Sequence, residues 1–351
     1  MSNDFLRFFL KHRLRRCLST AIPSPPRAFR FHLGASFIGK PEDSSNQLTE
    51  EQKLSFSIDN PITTWKDHML KREKSVKSVS AGDDFYFIQE GVSFGVADGV
   101  GAWITSGVDP SLFSQALCYH AHRYSKNAWA GEPESLTGEP SDEPTEGWEL
   151  TPQECIELSH GGVLRERTVK AGSSTICVIS LNARTGLLRA ANLGDSGFSL
   201  IRSFNIAYSQ SPQTHFFNCP YQLTKLPSSL RGYSGLYVDS PKDAETYSSQ
   251  LRGGDIIIAY TDGFSDNVHP SEIRQITSLA MRQGSSEDRS AQDLADRLVE
   301  YARVCMFKKD KVSPFQVNAE REGISFRGGK IDEYVFAPQF TYLITNRLRS
   351  A

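Results

Sequence analysis

The chain has 351 residues, of which 38% are hydrophobic and 11% aromatic, and its formal net charge is −2. This composition supports a sizeable core in one large domain or two small ones, and the balanced charge excludes a general attraction to nucleic acid or membranes. Six scattered cysteines without a Cys-x-x-Cys pair argue against a disulfide scaffold or a zinc knuckle, and no apolar run approaches the roughly 18 residues typical of a membrane span.

The amino-terminal segment 1–40 differs in composition from the rest of the chain. It contains eight Lys and Arg residues against a single acid, Asp4, and its first apolar residues fit one broad helical face. An Arg-rich, acid-poor, amphipathic segment is typical of a mitochondrial presequence, so we predict import, with localisation in the matrix. The alternative is a disordered basic tail that contacts anionic surfaces. Processing is expected between Cys17 and Lys40, and the polar segment 41–60 is interpreted as a linker.

The first half of the remaining chain predicts a hairpin followed by two helices. Phe85–Gln89 and Val92–Ala97 flank a Glu-Gly turn and are typical of paired strands. Helical spacing of apolar residues predicts a helix over Ser111–Ser125. Residues 130–149 are rich in Glu, Pro, Gly and Ser, which indicates an acidic surface insertion. A second helix is expected to begin at Thr151, where a capping box can form.

The second half predicts a dense β region and two further helices. Three apolar runs joined by short turns suggest an antiparallel meander: Ser174–Leu181, Leu187–Asn192 and Gly197–Arg202. The strongest predicted strand is Asp255–Thr261, and amphipathic helices are expected over Pro270–Gln283 and Ser290–Phe307. The absence of strict β-α alternation favours an α+β fold over a parallel doubly wound sheet.

Four short acidic motifs are the most informative feature of the chain. They are Asp83-Asp84 in SAGDDFYF, Asp98 in FGVADGVGAW, Asp262 in IIIAYTDGFSDN, and Asp332 in RGGKIDE. Each places a carboxylate at the end of an apolar run or beside a glycine turn, and strand ends that are distant in sequence can converge in space. Converging carboxylates repel one another unless cations neutralise them. The pattern therefore predicts a site of carboxylates and water for hard divalent metal ions.

Such a site indicates phosphoryl chemistry. Two magnesium or manganese ions roughly 3.5–4 Å apart clamp a phosphoryl group and lower the pKa of a bridging water, so no nucleophilic side chain is required. The sequence agrees with this, because it contains no G-x-S-x-G elbow, no C-x₅-R loop and no D-x-D-x-T motif. A single Asp-Gly is more often an ordinary turn than a ligand, and the ordered set of motifs is what favours the metal site.

The ordered set resembles the metal-dependent serine/threonine protein phosphatases of type 2C. The resemblance runs from about Ser80 to Asp332 and is carried by GDDFYF, FGVADGVGAW, GSSTICVISL, ANLGDSG, GDIIIAYTDGFSDN and GGKID. The form DGVGAW, where many relatives have Asp-Gly-His-Gly-Gly, looks like the mitochondrial branch of the family. The resemblance implies a central antiparallel β-sandwich flanked by helices, with a metal cleft at one end, and a catalytic domain over 61–351.

The resemblance also implies roles for individual residues. It assigns the ligands of a Mn²⁺ or Mg²⁺ pair to Asp84, Asp98, Asp262, Asp332 and the carbonyl of Gly99. It assigns the orientation of a metal-bound water to Asp83, and a third, weaker ion to Asp195 and Asp266.

The sequence departs from the family pattern at three places. Val100 stands where many relatives have a His that can protonate the leaving group, so a metal-bound water or a more distant group must replace it. Val79 stands where many relatives have an Arg that binds substrate phosphate, and Lys77 is the candidate substitute. Pro338 interrupts the run after Asp332, which makes residues 334–351 an atypical tail.

The leading hypothesis is a monomeric phosphatase that hydrolyses phosphoserine and phosphothreonine on mitochondrial phosphoproteins by attack of a metal-activated water. The first alternative is a catalytically weak or inactive relative of the same fold that binds metal or a partner. The second is a two-metal phosphohydrolase that acts on small phosphate esters.

Overall fold

The computed structural model describes residues 29–39, 55–71, 81–89, 93–126, 150–227, 237–282, 287–332 and 334–337. Its strands are β1 Ser36–Ile38, β2 Phe85–Gln89, β3 Ser93–Ala97, β4 Gly172–Ser174, β5 Ile176–Leu181, β6 Leu187–Leu193, β7 Gly197–Arg202, β8 Asn205–Ser209, β9 Thr214–Phe216, β10 Cys219–Pro220, β11 Leu223–Lys225, β12 Glu245–Gln250, β13 Ile256–Tyr260 and β14 Tyr334–Ala337. Its helices are α1 Pro61–Lys71, α2 Ser111–Lys126, α3 Pro152–Arg165, α4 Asp262–Ser265, α5 Pro270–Arg282, α6 Glu287–Phe307 and α7 Pro314–Arg321, with 3₁₀ turns at Gly101–Ser106 and Pro241–Asp243.

Two five-stranded sheets form the centre of the fold. One has the order β12-β6-β5-β3-β2 and the other β1-β14-β13-β7-β8, and every pairing between the described strands is antiparallel. Helices α2 and α3 pack on the first sheet, and α6 packs on the second. The predicted α+β sandwich with flanking helices is confirmed.

The uninterrupted apolar run of β13 follows from its place between two layers. Ile257 and Ala259 belong to the core that the two sheets share, whereas Ile256 and Ile258 belong to a second core formed with α5 and α6. Because successive side chains of a strand point to opposite faces, a strand covered on both faces needs apolar residues at every position. This explains why the run lacks the alternation of a strand with one solvated face.

The helices begin where the sequence predicts them. Thr151 caps α3 in a capping box with Glu154, whose carboxylate accepts from the Thr151 backbone N–H at 2.8 Å. The predicted helices at 111, 270 and 290 are confirmed as α2, α5 and α6, with ends that differ by a few residues. Among the described cysteines, Cys118, Cys155, Cys177 and Cys305 are buried free thiols, as the composition suggested.

The predicted three-stranded meander is wrong at its last step. β5 and β6 are hydrogen-bonded neighbours, but β7 pairs with β13 and β8 in the opposite sheet. The connection between β6 and β7 therefore crosses from one sheet to the other, and Gly194 makes the crossing with φ at +104°, a conformation that L side chains rarely adopt. A short turn between two apolar runs does not reveal which sheet the second run joins, since that depends on distant partners.

The folded domain begins earlier than the predicted boundary at residue 61. β1 lies inside the segment 1–40 and pairs with β14, and Phe37 of this strand is 2% exposed. Upstream, the Phe29 N–H donates to the Ala183 carbonyl at 2.9 Å. Residues 29–38 are therefore part of the fold.

Several predicted features lie outside the described residues. These are the acidic insertion 130–149, Lys77 and Val79, most of the predicted linker 41–60, residues 1–28, and the tail from Pro338 onward. None of the helices in the described ranges combines the length and apolar character needed to cross a membrane.

Candidate metal centre

The β2–β3 hairpin brings the first two acidic motifs together. The register pairs Phe85 with Ala97, so Asp84, just before β2, and Asp98, just after β3, lie at the same end of the hairpin. Asp84 is 2% exposed, and the Asp98 backbone is fixed by Thr175, whose hydroxyl accepts from the Asp98 N–H at 3.3 Å. Of the adjacent residues Asp83 and Asp84, Asp84 is therefore the buried one, whereas Asp83 is partly exposed.

The other sheet supplies the remaining two carboxylates at the same end of the sandwich. Asp262 follows β13 directly after Thr261, and Asp332 precedes β14. The antiparallel register pairs Tyr260 with Phe336, so the chain before β14 runs past the end of β13. Asp262 and Asp332 thus meet beyond the sheet edge, which is why carboxylates 70 residues apart share one site.

A cleft of about 230 Å³ joins the two pairs. Its lining consists of Asp83, Asp84, Asp98, Gly99, Val100, Gly101, Ala102, Thr175, Asp195, Asn218, Pro220, Asp262, Lys330 and Asp332. The structure therefore brings together all five residues that the family resemblance assigns to the metal pair, together with Asp83 and Asp195.

The two residues assigned to a third ion also lie beside Asp262. Asp98, Asp195 and Asp262 each offer one carboxylate oxygen within 4.8 Å of the others, and Asp262, Asp266 and Asp332 do the same. Asp195 reaches the cleft from the β6–β7 crossing, and Asp266 lies next to Asp262 in the turn after α4. The carboxylates thus form two clusters that share Asp262.

Gly99 is required by the closeness of two chain segments. A Cβ atom at this position would lie 2.5 Å from the Asp83 carbonyl oxygen and 2.8 Å from that of Pro110. Because both neighbours are backbone atoms, neither can move aside like a flexible side chain. The glycine therefore permits the approach that places the Gly99 backbone in the cleft, where its carbonyl is the predicted ligand.

Burial and mutual repulsion shift the pKa values of the carboxylates in the cleft. Burial, followed by repulsion from Asp84 and Asp262, raises the pKa of Asp98 well above its ordinary value. Burial and repulsion from Asp262 also raise the pKa of Asp195. Carboxylates arranged in this way bind protons or cations to relieve the repulsion, and their hard oxygen atoms suit Mg²⁺ or Mn²⁺.

The raised pKa of Asp98 predicts that metal binding depends on pH. A proton held by this carboxylate must leave before an ion binds, so Mn²⁺ affinity is expected to rise with pH, by up to about tenfold per pH unit for each displaced proton. Isothermal titration of the metal-free protein at pH 5.5, 6.5 and 7.5 measures this. An affinity that is the same at the three pH values would contradict the assignment of Asp98 as a ligand.

Sequence reasoning missed three polar residues of the cleft, namely Lys330, Asn218 and Thr175. Lys330 places its ammonium among the carboxylates, 2.7 Å from an Asp262 oxygen, and Asn218 lies 3.4 Å from the same nitrogen. Thr175, the residue directly before β5, forms hydrogen bonds with the Asp98 backbone through its hydroxyl and its own N–H. A lysine two residues before a ligand was the available signal for Lys330, whereas Asn218 comes from a loop between β9 and β10 that carries no motif.

The chain is similar in sequence to known protein phosphatases. The chain is 34% identical to "Protein phosphatase PTC7 homolog" of Danio rerio over 260 residues, which cover 73% of this chain and 80% of that protein. It is 34% identical to the protein of the same name from Homo sapiens, again covering 73% of this chain and 78% of that protein. No family model matches the chain.

A solved structure agrees with both the fold and the relatives. The photosystem II phosphatase PBCP superimposes with a TM-score of 0.56 at 26% identity, covering 76% of this chain and 93% of that one. The sequence identity to the PTC7 homologues, the antiparallel sandwich and the acidic cleft all agree with the predicted resemblance. This chain therefore belongs to the type 2C family of metal-dependent serine/threonine protein phosphatases.

Proposed function

We propose that this protein removes phosphate from phosphoserine and phosphothreonine of mitochondrial proteins with a pair of Mn²⁺ or Mg²⁺ ions. The observation that carries the proposal is the convergence of Asp84, Asp98, Asp262 and Asp332 from two sheets into one cleft. No purely structural role accounts for so many mutually repelling carboxylates at one end of a sandwich.

The donor set fits the metals. Asp98 lies close to the second pair, since one of its carboxylate oxygens is within 4.8 Å of an Asp262 oxygen, and repulsion from both Asp84 and Asp262 contributes to its raised pKa. We assign Asp98, Asp262 and Asp332 to one ion, and Asp84, Asp98 and the Gly99 carbonyl to the other. When bound, such a pair supplies an activated water and a clamp on the phosphoryl group.

The chain's own residues orient the reaction. The Asp83 backbone carbonyl accepts a hydrogen bond from the Ser114 hydroxyl, so α2 fixes this segment, and the Asp83 side chain is placed to orient a water in the cleft. Val100 lines the cleft where many relatives have a His, and its side chain has no proton to donate. The leaving alkoxide must therefore take its proton from water or from a more distant group.

The mitochondrial assignment has support from the amino terminus. Residues 1–28 retain six of the eight basic residues of the presequence segment and its amphipathic stretch, whereas residues 29–38 belong to the fold. We therefore propose that processing occurs between Cys17 and Phe29, which narrows the range that the sequence predicts and leaves β1 in the mature protein.

The test is a phosphate-release assay on the full chain with Mn²⁺, using a phosphoserine or phosphothreonine peptide and an aryl phosphate. Turnover of both, abolished in Asp262→Asn but not in Asp310→Asn, supports the proposal, since Asp310 is an exposed aspartate in a turn outside the cleft. Metal binding without release from either substrate would identify an inactive relative. Release from the aryl phosphate alone would identify a small-ester phosphohydrolase.

A further inference from the structure

One lysine ammonium lies inside the acidic cleft. Lys330 Nζ is 2.7 Å from Asp262 Oδ2, 2.7 Å from Asp266 Oδ2 and 2.9 Å from Asp332 Oδ2, and its side chain is 15% exposed. These three carboxylates are the members of the second cluster. The ammonium therefore occupies the position that a cation of that cluster would take.

The backbone around Lys330 is held in place on both sides. The buried Asn267 side chain accepts from the Lys330 N–H at 2.9 Å and donates to the Lys330 carbonyl at 2.9 Å. Just upstream, Gly329 packs directly on the backbone carbonyls of Cys305 and Met306 at the end of α6, and Gly328 has φ at +89°. The backbone of Lys330 is therefore held in place, and its side chain extends into the cleft.

The Lys330 ammonium also lies over an aromatic ring. Lys330 Nζ lies 5.0 Å from the centre of the Phe315 ring, on α7, which is within the range of a cation–π contact. Three carboxylates and an aromatic ring surround one ammonium, and this arrangement differs from a surface lysine with a single exposed ion pair.

The contacts have a consequence for the number of ions. A carboxylate has two oxygens, so an aspartate that accepts from the ammonium through Oδ2 retains a second oxygen that can bind an ion. Seven aspartates, namely the six in the cleft lining and Asp266, carry more negative charge than two divalent ions neutralise. A fixed monovalent cation in the second cluster reduces this excess and opposes a further divalent ion there.

We propose that Lys330 is a resident cation of this centre: its ammonium replaces the third, weaker ion at Asp266 and orients Asp262 and Asp332 for the proposed pair. This inference rests on the proposed function, because it assumes that two ions bind at the residues assigned to them above, namely Asp84, Asp98, the Gly99 carbonyl, Asp262 and Asp332. It gives Lys330 a positioning role, in which it acts through the carboxylates it contacts.

The chain offers a matched control. Lys311 is also largely buried, at 16% exposure, and it is paired with Glu272 at 2.8 Å and lies 5.1 Å from the Tyr301 ring. It donates to the Asn267 carbonyl at 3.0 Å, so it contacts the same residue that holds Lys330. Lys311→Met therefore removes an equivalent buried ion pair nearby without removing a cation from the cleft.

The experiment counts bound Mn²⁺ by equilibrium dialysis and elemental analysis on the full chain and its variants. Wild type and Lys311→Met are expected to bind two ions, and Lys330→Met three, the added ion binding at least about tenfold more tightly than any further ion in wild type. The Mn²⁺-induced rise in melting temperature is expected to be larger in Lys330→Met than in wild type. Lys330→Gln, which keeps a hydrogen-bond donor, repeats the test if the methionine variant does not fold.

Each other result overturns the inference in a distinguishable way. Three ions in wild type leave the proposed function standing and remove the role of Lys330 as a replacement. Two ions in every variant show that the ammonium does not exclude a third. No bound ion in wild type removes the metal pair and, with it, both proposals.

Discussion

Asp98→Asn is expected to abolish Mn²⁺-dependent phosphate release and, at the same time, to raise the stability of the metal-free protein. Asp98 is the carboxylate that we assign to both ions, so its loss removes a ligand from each and is expected to lower kcat/KM by at least about 10³-fold. The measurement is phosphopeptide turnover at saturating Mn²⁺, with ion counting on the same sample.

The same substitution is expected to raise the stability of the metal-free protein because the pKa of Asp98 is raised in the folded state. Burial and the charges of Asp84 and Asp262 raise the pKa of Asp98 in the folded state. A carboxyl group with a raised folded pKa contributes stability below its unfolded pKa near 4 and loses it as pH rises through the folded pKa. The metal-free wild type therefore loses stability as pH rises from the unfolded pKa towards the folded pKa, whereas the asparagine variant has no carboxyl group to ionise.

Thermal unfolding of the metal-free proteins at pH 7.5 tests this. Asp98→Asn is expected to melt above wild type, by roughly 2–4 °C for each kcal/mol of repulsion removed. Asp310→Asn, which changes an exposed aspartate, is expected to leave both melting and activity unchanged. A variant at Asp98 that melts below wild type, or that keeps metal-dependent turnover, would show that this carboxylate is structural.

The sequence predicted the site better than it predicted the chain path. Asp84 and Asp98 flank one hairpin, and a hairpin register is a local property, so their proximity could be derived from the apolar runs on either side. Asp262 and Asp332 required knowledge that two distant strand ends meet, and the family resemblance supplied it. The step from β6 to β7 was assigned to the wrong sheet because strand partners are set by packing across the whole domain.

Two residues show where sequence patterns carry too little information. Lys330 has the pattern of a solvated lysine after two glycines, and only the fold shows that Asn267 and the end of α6 direct it into the cleft. Phe37 lies in a segment whose basic composition is typical of a presequence, yet it is buried between the sheets, with its ring centre 6.1 Å from that of Tyr86. Composition describes a segment as a whole and does not show where folding begins within it.

The second large effect is expected from loss of the amino-terminal strand β1, because β1 pairs with β14, the strand that follows Asp332. β14 lies between β1 and β13, with three paired positions to β1 and two to β13. The Gln292 side chain in α6 also accepts from the Ala35 N–H at 3.2 Å and donates to the Ala35 carbonyl at 2.6 Å. Loss of this segment removes one of the two neighbours of the strand that follows Asp332.

Removal of residues 1–38 is therefore expected to lower both stability and metal affinity, whereas removal of residues 1–28 is expected to change neither. The point variant Phe37→Ala isolates the packing contribution, at about 3–5 kcal/mol for a buried phenylalanine, which corresponds to a fall in melting temperature of roughly 6–20 °C. Melting curves and Mn²⁺ titrations of the three variants and wild type measure these effects. If the shorter truncation were destabilised as strongly as the longer one, the first 28 residues would also belong to the fold, and the proposed processing position would be wrong. If the longer truncation bound Mn²⁺ as wild type does, β1 would have no part in holding Asp332.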